Sequence, residues 1–190
     1  MIYPVFPLNI VVLPDESVAL HLFEARYREL FMDVKNGDSF VILFQEKNYQ
    51  SKFGTLVYIE KIINEYPDDT ADIIVRGTTI FEVKKFHPYY EEKLYSAVEG
   101  EEIAIEKTAR EDLIQEFELY LEAVGKRSSK NKPSNIFQIA NRLELSQSKK
   151  DELIQCKNNE VMNRFLINEI RFFKKVYEQE ESLDHKFHLN

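Results

Sequence analysis

The chain of 190 residues has a single cysteine, Cys156, and no tryptophan. A lone cysteine excludes an intrachain disulfide and any cysteine-built zinc site. Lys157 next to it would lower the thiol pKa, but without a well-placed histidine the residue reads as a half-buried structural thiol. Glycine is equally scarce. The five glycines, at positions 37, 54, 77, 100 and 125, are too dispersed to form Gly-x-x-x-x-Gly-Lys-[Ser/Thr] or Gly-x-Gly-x-x-Gly. P-loop nucleotide hydrolysis is therefore excluded. With only six prolines besides, the composition is not that of a flexible or low-complexity polymer.

Long apolar runs are missing too, and nothing approaches the roughly 20 residues that span a bilayer. The first basic residue is Arg26, and Pro4, Pro7 and Pro14 interrupt the N-terminal segment, so a signal peptide is not expected there. The expectation is a soluble cytoplasmic protein with no membrane contact. Positive charge is in deficit: the formal net charge is −8, with 10 basic and 16 acidic side chains in residues 1–100 and 15 and 17 in residues 101–190. This balance argues against a nucleic-acid partner, whose affinity comes mainly from neutralised phosphates. Lys126, Arg127, Lys130 and Lys132 form one local basic cluster, read as a solvated linker.

Catalytic patterns are absent in the same way. The four histidines contain no His-Glu-x-x-His, and His185 with His188 in a terminal tail makes a poor metal site, so neither metal nor cofactor is expected. The acidic pairs Asp68-Asp69, Glu91-Glu92 and Glu101-Glu102 are adjacent. Strand neighbours point to opposite faces, so these pairs read as turn and edge solvation rather than as an acid and its base.

What is present is a foldable core, since 44% of the residues are hydrophobic and Phe and Tyr number 24. Val5–Leu13 and Phe40–Phe44 are continuous apolar runs, as expected of strands covered on both faces. Between them Phe23, Tyr27, Leu30, Phe31 and Val34 fall at helical spacing, which predicts a helix over Glu24–Lys35, stopped by Asn36-Gly37-Asp38. Gly54–Ile63, Ala71–Phe86 and Lys93–Glu99 have β character, the second bending at Gly77. About six strands and one early helix result. From Glu106 the period becomes 3.6. Helices are expected around Leu113–Val124, around Ile136–Leu143 with Ser134 as N-cap, over Ser148–Gln155 with Ser148 and Asp151 as a capping box, and from Val161 to Tyr177. Glu178–Asn190 turns polar and is expected to fray; native proteolysis should strike there or at Lys126–Pro133.

One stretch carries a family pattern. Phe6-Pro-Leu-Asn-Ile-Val-Val-Leu-Pro14 followed by Leu20-His-Leu-Phe-Glu-Ala-Arg-Tyr-Arg-Glu-Leu30 resembles the opening of the Lon protease N-terminal, substrate-binding domain, particularly its small stand-alone bacterial form. Gly54-Thr-Leu-Val-Tyr-Ile-Glu-Lys-Ile62 and Ile73-Ile-Val-Arg-Gly77 extend the likeness. The resemblance implies an α+β fold: a PUA-like β pseudo-barrel over residues 1–104, a helical bundle over 105–178 and a flexible tail over 179–190. Departures are Asp15 where the family often has Gly, Ala19 and Ala25 where Pro is common, and Ile80 where Arg is often found.

The matched residues read as architectural. Phe23 and Tyr27 are expected to pack the early helix, Glu24 to favour its N-terminus, and Arg26 or Arg28 to satisfy a carboxylate or a loop carbonyl. Lon's ATPase and Ser-Lys dyad lie in other domains, so the resemblance implies a module that is not an enzyme. The favoured function is capture of unfolded or tagged protein segments, with a protease or chaperone as partner. The alternative is binding of RNA or a nucleotide-derived ligand by the PUA-like barrel; for a hydrolase no constellation is present. The oligomeric state is left open. Candidate peptide anchors are aromatic residues in expected loops: Tyr49 and Phe53 between two strands, and Tyr89 and Tyr90 after His87-Pro88.

Overall fold

A computed structural model describes residues 1–126, 133–156 and 158–187, with side chains through Glu180. Its elements are β1 (Ile2–Leu8), β2 (Ser17–Leu22), α1 (Ala25–Val34), β3 (Phe40–Glu46), β4 (Tyr49–Glu65), β5 (Ala71–His87), β6 (Ser96–Ile103), α2 (Glu111–Ala123), α3 (Ile136–Ala140), α4 (Gln147–Ile154) and α5 (Asn159–Phe187). The basic cluster after Lys126, Lys157 and His188 fall outside the described residues.

The chain divides into two compact units: Met1–Ala104 with Leu145–Gln155, and Ile105–Glu144 with Cys156–Asn190. In the first, the sheet order is β2-β5-β4-β3-β1-β6, and an additional β5–β6 pairing closes the barrel. One edge of β5 serves two partners. Its first half, Ala71–Arg76, pairs with β2, and its second half, Ile80–His87, pairs with β6. Among the described strands only β1 and β3 pair in parallel. In their register Val5 lies beside Val41 and Phe6 beside Ile42, and successive residues serve opposite faces. Val5, Val41, Leu43 and Phe81 fill one cluster, while Phe6, Ile42 and Phe40 fill another beneath Tyr27, Leu30, Phe31 and Val34 of α1. Both faces are covered, which is why Phe40–Phe44 has no polar alternation.

The apolar run Val5–Leu13 is only partly a strand. β1 ends at Leu8, and Val11, Val12 and Leu13 are buried in a connecting segment. A buried loop must still satisfy its backbone. Here the Val11 amide donates to Gln147 Oε1 (2.7 Å), the Leu13 amide to Glu16 Oε2 (2.7 Å), and the Thr55 hydroxyl to the Val12 carbonyl. Beyond it, the Asp15 amide donates to the Gly77 carbonyl and the Gly77 amide to the Glu16 carbonyl, both at 2.9 Å. The register between β4 and β5 shifts beside Gly77, and a Cβ on that residue would collide with the Leu13 carbonyl. Asp15 adopts φ +63°, the left-handed region where Gly is at ease and Asp is tolerated. Ile80 is buried, so an apolar side chain fits its position.

Helix α1 fits its predicted span closely, with Glu24 as N-cap and Lys35 as C-cap. Two other caps differ from expectation. Asn135, rather than Ser134, caps α3 because its Oδ1 accepts from the Phe137 amide at 2.8 Å. Ser146, rather than Ser148, caps α4 by accepting from the Lys149 amide. That helix clusters with the barrel, although the sequence reads it as part of the helical run. Lys150 of α4 pairs with Glu16 at 2.5 Å.

The second unit comprises α2, α3 and α5, with Leu113, Phe117, Leu121, Met162, Leu166 and Ile170 buried. Asn163 of α5 is fully buried, and its Oδ1 accepts from the Arg110 amide (2.8 Å) while its Nδ2 donates to the Asn159 carbonyl (2.8 Å). The helix runs on to Phe187, through the polar residues expected to fray.

Candidate functional site

Within the first unit, the segment Phe23-Glu24-Ala25-Arg26-Tyr27 sets the geometry around α1. Tyr27 is buried, packs against Phe6 with 3.7 Å between ring centroids and the planes tilted by 31°, and has its phenol pKa raised, chiefly by burial. Glu24 starts the helix, and its Oε2 accepts from Arg26 Nε at 2.9 Å. The Arg26 guanidinium lies over the Tyr27 ring, 4.4 Å from its centroid. Glu24, Arg26 and Tyr27 line a cleft of about 460 Å³ together with Lys47, Phe86 and Ser96. The expected packing of Tyr27 and the expected carboxylate partner of Arg26 are both present.

Phe23 corrects its expectation, because it is 63% exposed. An apolar residue just before an N-cap normally packs on the fourth helical residue, which here is the charged Arg28. Phe23 instead lies near His21, with ring centroids 5.9 Å apart and planes 21° apart.

The outer face of α1 carries Ala25, Arg28, Glu29 and Met32, spaced as one helix surface. Arg28 donates to the Asp68 carbonyl of the β4–β5 turn. Glu29 accepts from the Leu94 amide at 2.7 Å, which ties in the β5–β6 connection. Asp33 takes Lys93 Nζ at 2.7 Å and the Tyr95 hydroxyl at 2.6 Å. Burial alone pushes the Asp33 carboxyl up, but the bonds from Lys93 and Tyr95 outweigh it and hold the group below its usual range. Two hollows flank the Arg28 contact. One, of about 310 Å³, is lined by the four α1 residues with Asp69 and Leu94. The other, of about 400 Å³, is lined by His21, Tyr66, Pro67, Asp68 and Thr70.

In the second hollow, His21 Nδ1 lies 2.7 Å from Asp72 Oδ1, and the Tyr66 hydroxyl donates to Asp72 Oδ2 at 2.6 Å. These bonds, the Tyr66 bond foremost, hold Asp72 below the usual carboxylate range. A carboxylate orienting an imidazole is half of a nucleophile-activating arrangement. The other half is not assembled, since the Thr70 hydroxyl donates to Asp68 at 2.7 Å and the Tyr66 hydroxyl to Asp72. Among the described residues no group of three or more His, Cys, Asp or Glu is placed to hold a metal ion.

The four aromatic anchors expected from the sequence are distributed over two places. Tyr49 and Phe53 lie inside β4, not in a loop. Strand alternation puts both on one face with the buried Ser51, and the Tyr49 hydroxyl donates to Asp151 Oδ2 of α4 at 2.6 Å. Tyr89 and Tyr90 do lie in a connection, but they differ sharply. Tyr90 packs against the core, its ring centroid 6.4 Å from that of Tyr95, whereas Tyr89 is 90% exposed. Sequence reading passed over Met32 and Leu94, both exposed. Met32 was visible as an apolar residue opposite the buried stripe of α1; Leu94 offered no comparable signal.

A sequence model of the family described as ATP-dependent protease La (LON) substrate-binding domain matches residues 2–167. The chain belongs to that family. No curated protein matched the sequence. Among solved structures, the Lon N-terminal domain protein from Xanthomonas campestris aligns with a TM-score of 0.68 and 21% identity, covering 87% of this chain and 97% of that one. The N-terminal domain of Mycobacterium avium complex Lon protease aligns with a TM-score of 0.67 and 15% identity, covering 90% and 98%. Identities this low establish a shared fold. The Lon family match and the barrel-plus-helices architecture agree with the α+β, PUA-like expectation, and they make the chain a substrate-binding-type domain. Among the described residues of this Lon-type domain, no helix is long and apolar enough to cross a membrane.

Proposed function

We propose that this domain captures apolar stretches of unfolded or tagged protein chains, without chemistry of its own, and acts as an adaptor that passes them to a protease or chaperone. The observation that carries the reading is the apolar surface around α1. Phe23, Met32, Tyr66 and Leu94 are all exposed on elements that α1 ties together through Arg28 and Glu29, and Tyr89 lies on the same connection as Leu94. Exposed large side chains gathered around shallow hollows are what a polypeptide-binding surface requires, whereas scattered ones carry no such meaning. Of the anchors expected from sequence, the proposal retains Tyr89 and assigns Tyr49 and Tyr90 to holding the barrel. A single cysteine suits action in the reducing cytoplasm.

RNA binding through the barrel finds less support, because the segments around α1 carry an excess of carboxylates that would repel phosphate.

The test is retention of a chemically denatured client by the immobilised domain. The denatured form should be held and the native form should pass, and Phe23→Ser with Leu94→Ser should abolish retention while the domain stays folded. Equal retention by the double variant would overturn the surface assignment. ATP turnover or casein cleavage that follows the protein peak through purification would overturn the non-catalytic reading. Co-purification with proteases and chaperones supports the adaptor role, and co-purification with tRNA or ribosomes would overturn it.

A further inference from the structure

Two of the three acidic pairs that looked like ordinary turn solvation in the sequence, Asp68-Asp69 and Glu91-Glu92, lie on segments that α1 ties together in the fold. Residues 24–35, 64–72 and 88–94 together carry nine carboxylates and four cations, so they hold nearly all of the excess negative charge of residues 1–100. They form one surface, since Arg28 reaches the second segment and Glu29 the third. Each of the four cations already has a partner there: Arg26 binds Glu24, Arg28 the Asp68 carbonyl, Lys35 Glu65, and Lys93 Asp33. Asp69, Glu91 and Glu92 are exposed at the rim. Exposed apolar side chains and uncompensated carboxylates thus occupy the same face.

The hollow of about 310 Å³ shows what this combination fits. Met32 and Leu94 give it apolar walls, and Asp69 and Glu29 place carboxylates beside them, Glu29 being shared with the Leu94 amide and, at 4.0 Å, with Lys93 Nζ. Arg28 also lines it, but its guanidinium donates to the Asp68 carbonyl. A lysine or arginine side chain suits such a site. Its methylenes lie along the apolar wall and its charged head meets the carboxylates, an arrangement that neither a purely apolar nor an acidic side chain reproduces.

Resting on the client-binding reading above, we propose that the α1 face selects cationic amphipathic segments, in which apolar residues are flanked by Lys or Arg, over apolar segments with neutral or acidic flanks. Charge complementarity sets the occupant. A second copy of this chain is disfavoured at the same face, because the whole chain is acidic and two such rims repel.

Fluorescence anisotropy with three labelled peptides tests this. They share one apolar core and differ in flanks of Lys, Ser or Glu. In about 0.1 M salt the Lys peptide should bind about tenfold tighter than the Ser peptide and the Glu peptide weakest, and the differences should largely vanish at about 1 M salt. The triple variant Asp69→Asn, Glu91→Gln, Glu92→Gln keeps the size and shape of three exposed side chains. It should lose about tenfold for the Lys peptide, leave the Ser peptide unchanged, and melt at the parent temperature. If all three peptides bind equally and Phe23→Ser abolishes that binding, the charge selection is wrong and the client-binding reading stands. If none binds, both fall. Self-association in sedimentation that Phe23→Ser removes would make a second copy the occupant and overturn the proposal.

Discussion

The Tyr49 hydroxyl donates a 2.6 Å hydrogen bond to Asp151 Oδ2, linking residues 102 positions apart. Asp151 is buried, and the same oxygen accepts from Gln155 Nε2 at 2.7 Å. Burial first, and then the bond to the carboxylate, raise the Tyr49 pKa. This contact fixes α4 to β4.

Tyr49→Phe removes one donor from a buried carboxylate, and hydrogen bonds to charged groups contribute about 1.5–3 kcal/mol. The variant should lose stability in that range in urea unfolding followed by circular dichroism, with client binding by the folded protein unchanged. A loss of binding without a loss of stability would return Tyr49 to the client surface.

The N-cap of α4 offers a test in two serines. Ser146 Oγ accepts from the Lys149 amide, while Ser148 Oγ only meets Ser146 Oγ at 3.0 Å. Ser146→Ala should cost about 1 kcal/mol and Ser148→Ala clearly less. The reverse order in paired melts would restore the cap that the sequence pattern suggested.

These cases show what was legible. Helix α1 could be read to within a residue because its buried stripe, its acidic start and its Asn36-Gly37 stop agree. β3 could be read because a strand covered on both faces is apolar throughout. The run Val5–Leu13 misled for the same reason, since a buried loop with side-chain and backbone hydrogen-bond partners has the same composition as a buried strand. β2 is short, and its first five residues alternate only between exposed and half-buried before the buried Leu22, so it gave little signal. The proposed client surface around α1 was least visible. Its apolar members lie far apart in sequence, and the fourth helical residue, on which Phe23 would ordinarily pack, is the charged Arg28.

Asp33 should make the α1 face acid-sensitive. A carboxyl held below its ordinary 3.8 in the folded state stabilises the fold above the unfolded value and loses that contribution as pH falls through the folded one. At pH 7 Asp33→Asn should therefore be less stable than the parent by about 1 kcal/mol. The gap should narrow as pH falls below 3.8 and through the lowered folded-state value. Urea midpoints of both proteins across that range measure it, and a gap independent of pH would show that Asp33 acts through shape rather than charge.

Tyr89 and Tyr90 are neighbours in sequence with opposite expected roles. Glu91 adopts φ +51°, and the Lys93 amide donates to the Tyr90 carbonyl at 3.0 Å, so the connection turns tightly after the pair. Within it Tyr90 is held against the core cluster near Tyr95, while Tyr89 stands 90% exposed. Tyr90→Ser removes a partly buried ring and should destabilise the domain by about 2 kcal/mol or more. Tyr89→Ser removes almost nothing from the core and should leave the melting temperature unchanged, yet as an anchor it should weaken client binding by about 1 kcal/mol or more. Melting curves and client titrations on the two variants separate the roles, because each substitution should move one measurement and spare the other. If Tyr89→Ser binds like the parent, the client surface ends at Leu94.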